Sequence, residues 1–137
     1  MPNMKVENID NGGVLFQAET TVFNTDVLTL GDGVTAVEGT ILARDTSTLK
    51  LVPFVKGGTT NGDGVPSTVL TYDVKNESGA AGDVPVRIPA ECKVYINRLV
   101  IAADGDNSNV DAAVIDQLRD FSIIPAESSD LTVLDNQ

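Results

Sequence analysis

The stretch from Gly39 to Val74, GTILARDTSTLKLVPFVKGGTTNGDGVPSTVLTYDV, restricts the fold more than any other part of the chain. Its apolar runs are short and each is closed by residues that turn the backbone, which is the pattern of brief strands rather than helices. One strand is predicted to end at Arg44-Asp45, and Thr46-Ser47-Thr48 then turns the chain. A second strand is predicted from Leu49 to Val55, a Gly/Asn/Asp-rich loop follows from Gly57 to Pro66, and a third strand runs into Tyr72-Asp73. Pro53 has no N–H for a ladder, so the second strand belongs at an edge or ends there. Gly31-Asp32-Gly33 supplies the turn that precedes the whole block.

Such a chain has to be closed by small aliphatic side chains. Hydrophobic residues make up 42%, yet only 4% are aromatic and Trp is absent, so Val, Leu, Ile and Ala fill the core. β-Branched side chains among these favour strands. At 137 residues one domain is expected, with roughly two thirds of its surface buried on folding. Twenty acidic against nine basic residues give a formal charge of −11, which repels phosphate backbones and anionic lipid, so neither nucleic acid nor a membrane is an expected partner. Met1 to Gly13 lacks the basic start and apolar centre of a secretory leader, and the longest apolar run, Leu99 to Ala103, is far too short to cross a bilayer.

Four regions follow one another. Residues 1 to about 26 read as an N-terminal arm in which only Val14 to Phe23 has strand character. There Phe16, Ala18, Thr20 and Val22 alternate with Gln17, Glu19 and Thr21. That strand is either an ordinary first strand or a docking strand that pairs with a partner. Val27 to Val74 carries the strands already described, Asn76 to Asp83 is a flexible connection, and Asp83 to Ala103 is extended, with Pro85 and Pro89 limiting its pairing. Beyond the break at Asp104-Gly105-Asp106-Asn107, the Ser108 to Asp111 spacing and the recurrence of Val110, Val114, Leu118 and Phe121 predict a helix over about 109–122, stopped by Pro125. The end, from Ala126 to Gln137, reads as a last strand or a tail.

Candidate chemistry is sparse. Asp104, Asp106 and Ser108 fall on the first three ligand positions of a calcium loop, but Asn109 stands where its Gly belongs and Ile115 where its bidentate carboxylate belongs. Without His and with a single Cys, zinc has no ligand set. The glycines of 57–66 lack the spacing of a phosphate cradle and lead into a strand, not a helix. Asp45, Asp63 and Asp73 sit near strand ends, where Asp ordinarily bonds the backbone of a turn. Cys92 has no partner for a bridge and no His to activate it, so a buried thiol is expected. No cofactor, metal or catalytic residue is assigned.

Gly39-Thr40-Ile41-Leu42-Ala43-Arg44-Asp45, then Lys50-Leu51-Val52-Pro53-Phe54, then the Gly-rich loop and Val69-Leu70 through Asp73-Val74 form an ordered series. The small-residue loop from Asn76 to Gly82, Asp83-Val84-Pro85-Val86, Tyr95 to Leu99, and Asp111 to Ile124 continue it. In order and spacing this series resembles the lambda-type head decoration proteins of tailed phages over about residues 18 to 124. Two departures are Ala90-Glu91, where that family usually places Gly, and Ile101-Ala102-Ala103, where Trp-Pro is frequent.

The resemblance implies a mainly β, β-clip-like domain of α+β character with one short C-terminal helix and an extended N-terminal arm. The arm, residues 1–26, is flexible until bound to the capsid, and residues 27–137 form the single β-rich domain. It further implies a homotrimer that cements the major capsid protein on the outer surface of the expanded head, at three-fold and quasi-three-fold sites, against internal DNA pressure. Such a protein is made in the host cytoplasm and carried in the virion. The capsid-binding residues so implied are Val14, Leu15, Phe16, Gln17, Ala18, Glu19, Thr20, Thr21, Val22 and Phe23. A trimeric dUTPase-like enzyme would need a Gly-Tyr-Asp signature and a Gly-rich C-terminal arm, whereas Thr71 precedes Tyr72-Asp73 and Leu131 to Gln137 holds no Gly. A head-fibre adhesin would show repeats, and none occurs.

Overall fold

In the computed structural model, which describes residues 13–16 and 21–127, the chain is mainly β with one short helix. Its longest element is β8 (Gly82–Tyr95), which covers the expected extended run only to Tyr95, where a 3-10 turn over Ile96–Arg98 ends it eight residues before Ala103. The two prolines within β8 are accommodated by parity. Arg87 donates its N–H to the Tyr72 hydroxyl at 2.9 Å, so it points away from the partner strand β2 (Val22–Leu30). Pro85 and Pro89 lie two residues to either side and share that direction, so their missing N–H groups fall outside the β2–β8 ladder.

Around β8 the chain lays β1 (Leu15–Phe16), β2, β5 (Leu51–Pro53), β4 (Ile41–Arg44) and β6 (Pro66–Val69) in the sheet order β1-β8-β2-β5-β4-β6. β9 (Ile123–Ala126) joins β8 in parallel, and β3 (Thr35–Ala36) pairs with β7 (Val74–Lys75) in a separate ribbon. The sheet curls until β6 returns towards β8, where the Thr68 hydroxyl reaches the Pro89 carbonyl. The strand ending at Arg44 and the turn after it stand as expected: Asp45 Oδ1 accepts the N–H groups of Ser47 and Thr48. The second strand is shorter than Leu49–Val55, because Leu49 has φ 65° and cannot continue a ladder.

β4 divides the interior. Leu42 enters one apolar cluster with Leu28, Leu30, Leu51, Leu70, Val86 and Ile88. Its neighbours Ile41 and Ala43 enter the other, with Val14, Phe54, Val69, Cys92, Val94, Leu118 and Ile123. Ile41, Leu42 and Ala43 are all fully buried. β8 also serves both clusters, and it changes over at Ala90, where the register against β2 slips between Val22 and Phe23.

The helix is α1 (Ala112–Arg119), shorter than 109–122 and capped by Asp111, whose carboxylate accepts the Val114 N–H at 3.1 Å. Ser108 is not the cap, since its hydroxyl and N–H both bond Asp106. Val114 and Leu118 are buried as the periodicity predicts, but Phe121 lies past the helix and is 46% exposed. Pro125 does not stop the helix either. The chain leaves it at Asp120, Ser122 adopts φ 67°, and Pro125 sits inside β9, an edge strand among the described residues. Lys56 ties the Gly-rich loop to the helix start by donating to Asp111 at 2.6 Å and to the Asn109 carbonyl at 2.9 Å.

The Asn76–Asp83 connection is pinned rather than free. Asn76 is buried, its amide donates to the Leu30 and Ala80 carbonyls, and its oxygen accepts from the N–H and hydroxyl of Ser78. The predicted ending Ala126–Gln137 is described only as far as Glu127, and residues 128–137 lie outside the described residues.

Gly39 holds the approach to β4. It has φ 92°, and a Cβ there would lie 2.0 Å from the Arg98 carbonyl oxygen. Its own N–H and carbonyl bond Leu70 and Val100. Gly39→Ala is therefore expected to lose about 2–4 kcal/mol in denaturant unfolding. Gly79→Ala, at φ 90° with nothing within 4 Å, should lose only about 1 kcal/mol.

Candidate functional site

The segment expected to engage a partner begins inside the domain. Val14 is buried in the core, its N–H donates to Glu38 at 2.8 Å, and its carbonyl accepts the Tyr95 N–H at 2.8 Å. Leu15 and Phe16 pair with Val94 and Lys93 of β8, and the Phe16 ring meets Tyr95 edge-on at 5.3 Å. Val22 and Phe23 then pair with Glu91 and Pro89 as the start of β2. Gln17, Ala18, Glu19 and Thr20 lie outside the described residues, and Thr21 is half-buried.

Two registers correct the expectation of one strand from Val14 to Phe23. Five residues, 17 to 21, separate Phe16 from Val22, but a single residue, Cys92, separates their partners Lys93 and Glu91. A continuous ladder would need equal numbers, so β1 and β2 are separate strands, each with its own register on β8. Phe16 registers with Lys93 and Val22 with Glu91, and sequence period alone carries no such register.

Alternation along β8 now defines an outward face. Cys92 and Val94 point into the core, leaving Glu91, Lys93 and Tyr95 outward. Phe16 and Ile124 both register with Lys93, Val22 with Glu91 and Ala126 with Tyr95, so they share that side. Val22 is 52% and Ile124 42% exposed. Both ends of the described chain leave beside Tyr95: Val14 bonds it on one border and Ala126 registers with it on the other. The two exits are therefore roughly 10 Å apart, two strand spacings.

A second feature opens at the mouth of the curled sheet, a groove of about 780 Å³ lined by Asn24, Asp26, Arg44, Val65, Ile88 and Phe121. Arg44 donates to both carboxylate oxygens of Asp26, at 3.0 and 2.8 Å, and to the Leu49 carbonyl at 3.0 Å. This fork closes the gap that β5 is too short to fill. The Arg44 guanidinium beside Asp26 holds its carboxyl below the ordinary value of 3.8, against the opposing effect of burial.

The carboxylates considered for chemistry are each taken up by hydrogen bonds within the fold. Asp63 accepts the Thr60 N–H, Asp73 the Glu38 N–H, Asp104 the Asn109 amide, and Asp106 both donors of Ser108. Asp45, Asp63 and Asp73 each face a separate backbone segment. Among the described residues no group of three or more His, Cys, Asp or Glu is gathered as metal ligands would be. Cys92 is buried, and burial pushes its thiol up to about 12.

A family model described as bacteriophage lambda head decoration protein D matches residues 4–123. No curated protein matches the chain.

Two measurements check this chemistry. The depressed Asp26 value means the fork's contribution is complete above the unfolded value near 3.8 and is lost as pH falls through the lower folded one. Asp26→Asn should accordingly lower unfolding free energy by about 1–2 kcal/mol at pH 7 and by progressively less below pH 4. Cys92 should resist a disulfide reagent at pH 8 until denaturant is added.

Proposed function

The chain belongs to the bacteriophage lambda head decoration protein D family and is a component of the phage capsid, and we propose that it acts as a trimeric cement on the outside of the expanded head. The observation that carries this reading is the family match, which covers all but the ends of the chain. Each homotrimer sits at a three-fold or quasi-three-fold position, contacts neighbouring copies of the major capsid protein, and resists the pressure of packaged DNA. No covalent bond is made or broken. The protein is made in the host cytoplasm and ends on the outer surface of the virion. The charge of −11 suits that position, away from the packaged nucleic acid.

Capsid contact is assigned to the N-terminal part, residues 1–26, carried by the β domain of residues 27–137. Within Val14 to Phe23, Val14 fastens the segment to the core while Phe16 and Val22 offer outward side chains. Because β2 runs through position 26, any change of path on the shell excludes the residues already laddered onto β8. Segments of this kind add main-chain hydrogen bonds to a partner sheet. Three per trimer raise avidity by roughly a hundredfold or more over one. A ligand that binds only the expanded lattice stabilises it by mass action.

The test uses undecorated capsids of the phage that encodes the chain. Sedimentation equilibrium should give three times the chain mass, the protein should pellet with expanded and not with unexpanded capsids, and cryo-EM should place its density on three-fold positions. A monomer that pellets with neither form overturns the proposal. Truncation through residue 23 would remove Val14 from the core, so the arm is tested by deleting residues 2–12. The shortened protein should unfold at the wild-type denaturant midpoint and lose at least about tenfold in capsid affinity.

A further inference from the structure

The outward face of β1, β8 and β9 has the composition of a contact surface. Phe16, Val22, Tyr95 and Ile124 form an apolar group around Glu91 and Lys93, on a layer whose other side is packed with Val14, Cys92, Val94 and Ile123. A single exposed aliphatic residue is ordinary on a protein surface, but a half-exposed Val and Ile bracketing an edge-on aromatic pair is a patch.

Two observations say what covers it. Leu15-Phe16 and Val22-Phe23, the described parts of the arm segment, are held in ladders on β8, so a partner that engages that segment comes next to this face. Twelve residues before Gly13 and ten after Glu127 also leave the described structure at its Tyr95 border. They reach up to about 40 and about 33 Å when extended, so a partner held by either end is brought to the same border.

We propose that the outward face of β1, β8 and β9, centred on Phe16, Tyr95 and Ile124, is a coat-protein contact in its own right, packing against an apolar segment of a coat subunit beside the N-terminal arm. This rests on the capsid reading and extends it to β9, a strand nearly 100 residues distant in sequence from the arm. Ile124 is the anchor, because its backbone is fixed in β9 while its side chain is open to a partner. Placing a charge there leaves the fold its contacts and forces the coat protein to desolvate a carboxylate where it would otherwise meet an aliphatic side chain.

The test compares wild type, Ile124→Asp and Val34→Asp on undecorated expanded capsids. Val34 is 45% exposed in the turn after β2, whose last residue pairs with Gly82 at the opposite end of β8. Ile124→Asp should bind at least about tenfold more weakly with unchanged sedimentation mass and thermal midpoint, and Val34→Asp should bind as wild type. Hydroxyl-radical footprinting of the wild-type protein gives a readout independent of any variant: oxidation of Phe16, Tyr95 and Ile124 should fall on capsid binding, and that of Leu49 should not. Equal binding by Ile124→Asp, or unchanged oxidation at those three residues, overturns the inference while leaving the capsid reading intact. Dissociation of the oligomer by Ile124→Asp also overturns it, by making the face a junction between copies. Failure of wild type itself to bind capsids sinks the capsid reading and, with it, this one.

Discussion

Everything in this domain depends on a short strand that has no outside. Ile41, Leu42 and Ala43 are sealed on both faces, and their alternation sends Leu42 into one apolar cluster and its neighbours into the other. A strand buried in this way has to have its backbone groups met by protein. β5 and β6 supply partners on the two borders, while the Ile41 N–H goes to Val100 and its carbonyl accepts from Phe54. Gly39 allows the approach, since Arg98 passes where any side chain would project. With few aromatics available, two aliphatic clusters sharing one wall bury more side chains against each other than one thin layer would.

How much of this was legible depended on whether the deciding interaction was local. The Asp45 turn, the burial of Cys92, the extended run containing two prolines and the core face of the helix at Val114 and Leu118 are all set within a few residues of sequence. The points that differed are set at a distance or by competition. Ser108 was a reasonable cap until Asp106 claimed it, and Pro125 was a reasonable stop until β8 offered an edge for β9. The break between β1 and β2 is a matter of register against a strand some seventy positions later, which period-two patterning cannot encode. Likewise nothing local marks Asp26 and Arg44 as a pair, or Asn76 as the donor to the Leu30 carbonyl.

The chemistry of the surface agrees with a structural role in the phage head. Carboxylates that might have converged on a substrate are spread over separate turns, each bonded to its own backbone segment. What the fold presents instead is a sheet face with its chain ends beside it, and an open groove whose floor is a closed ion pair. Of the two, the sheet face adjoins the segment assigned to the capsid, and the groove's polar floor is already satisfied by its own fork.

The direction in which β1 and β9 lie on β8 has a mechanical corollary. One is antiparallel and the other parallel to β8, yet both point their free ends past Tyr95. Tension on either tail therefore runs along the strand axis and strains every rung of that ladder at once, instead of peeling rungs off singly. Behind β1 stands the nine-pair ladder of β2, which would be sheared in the same sense. A load applied at either end of the described chain meets the stiff axis of the molecule.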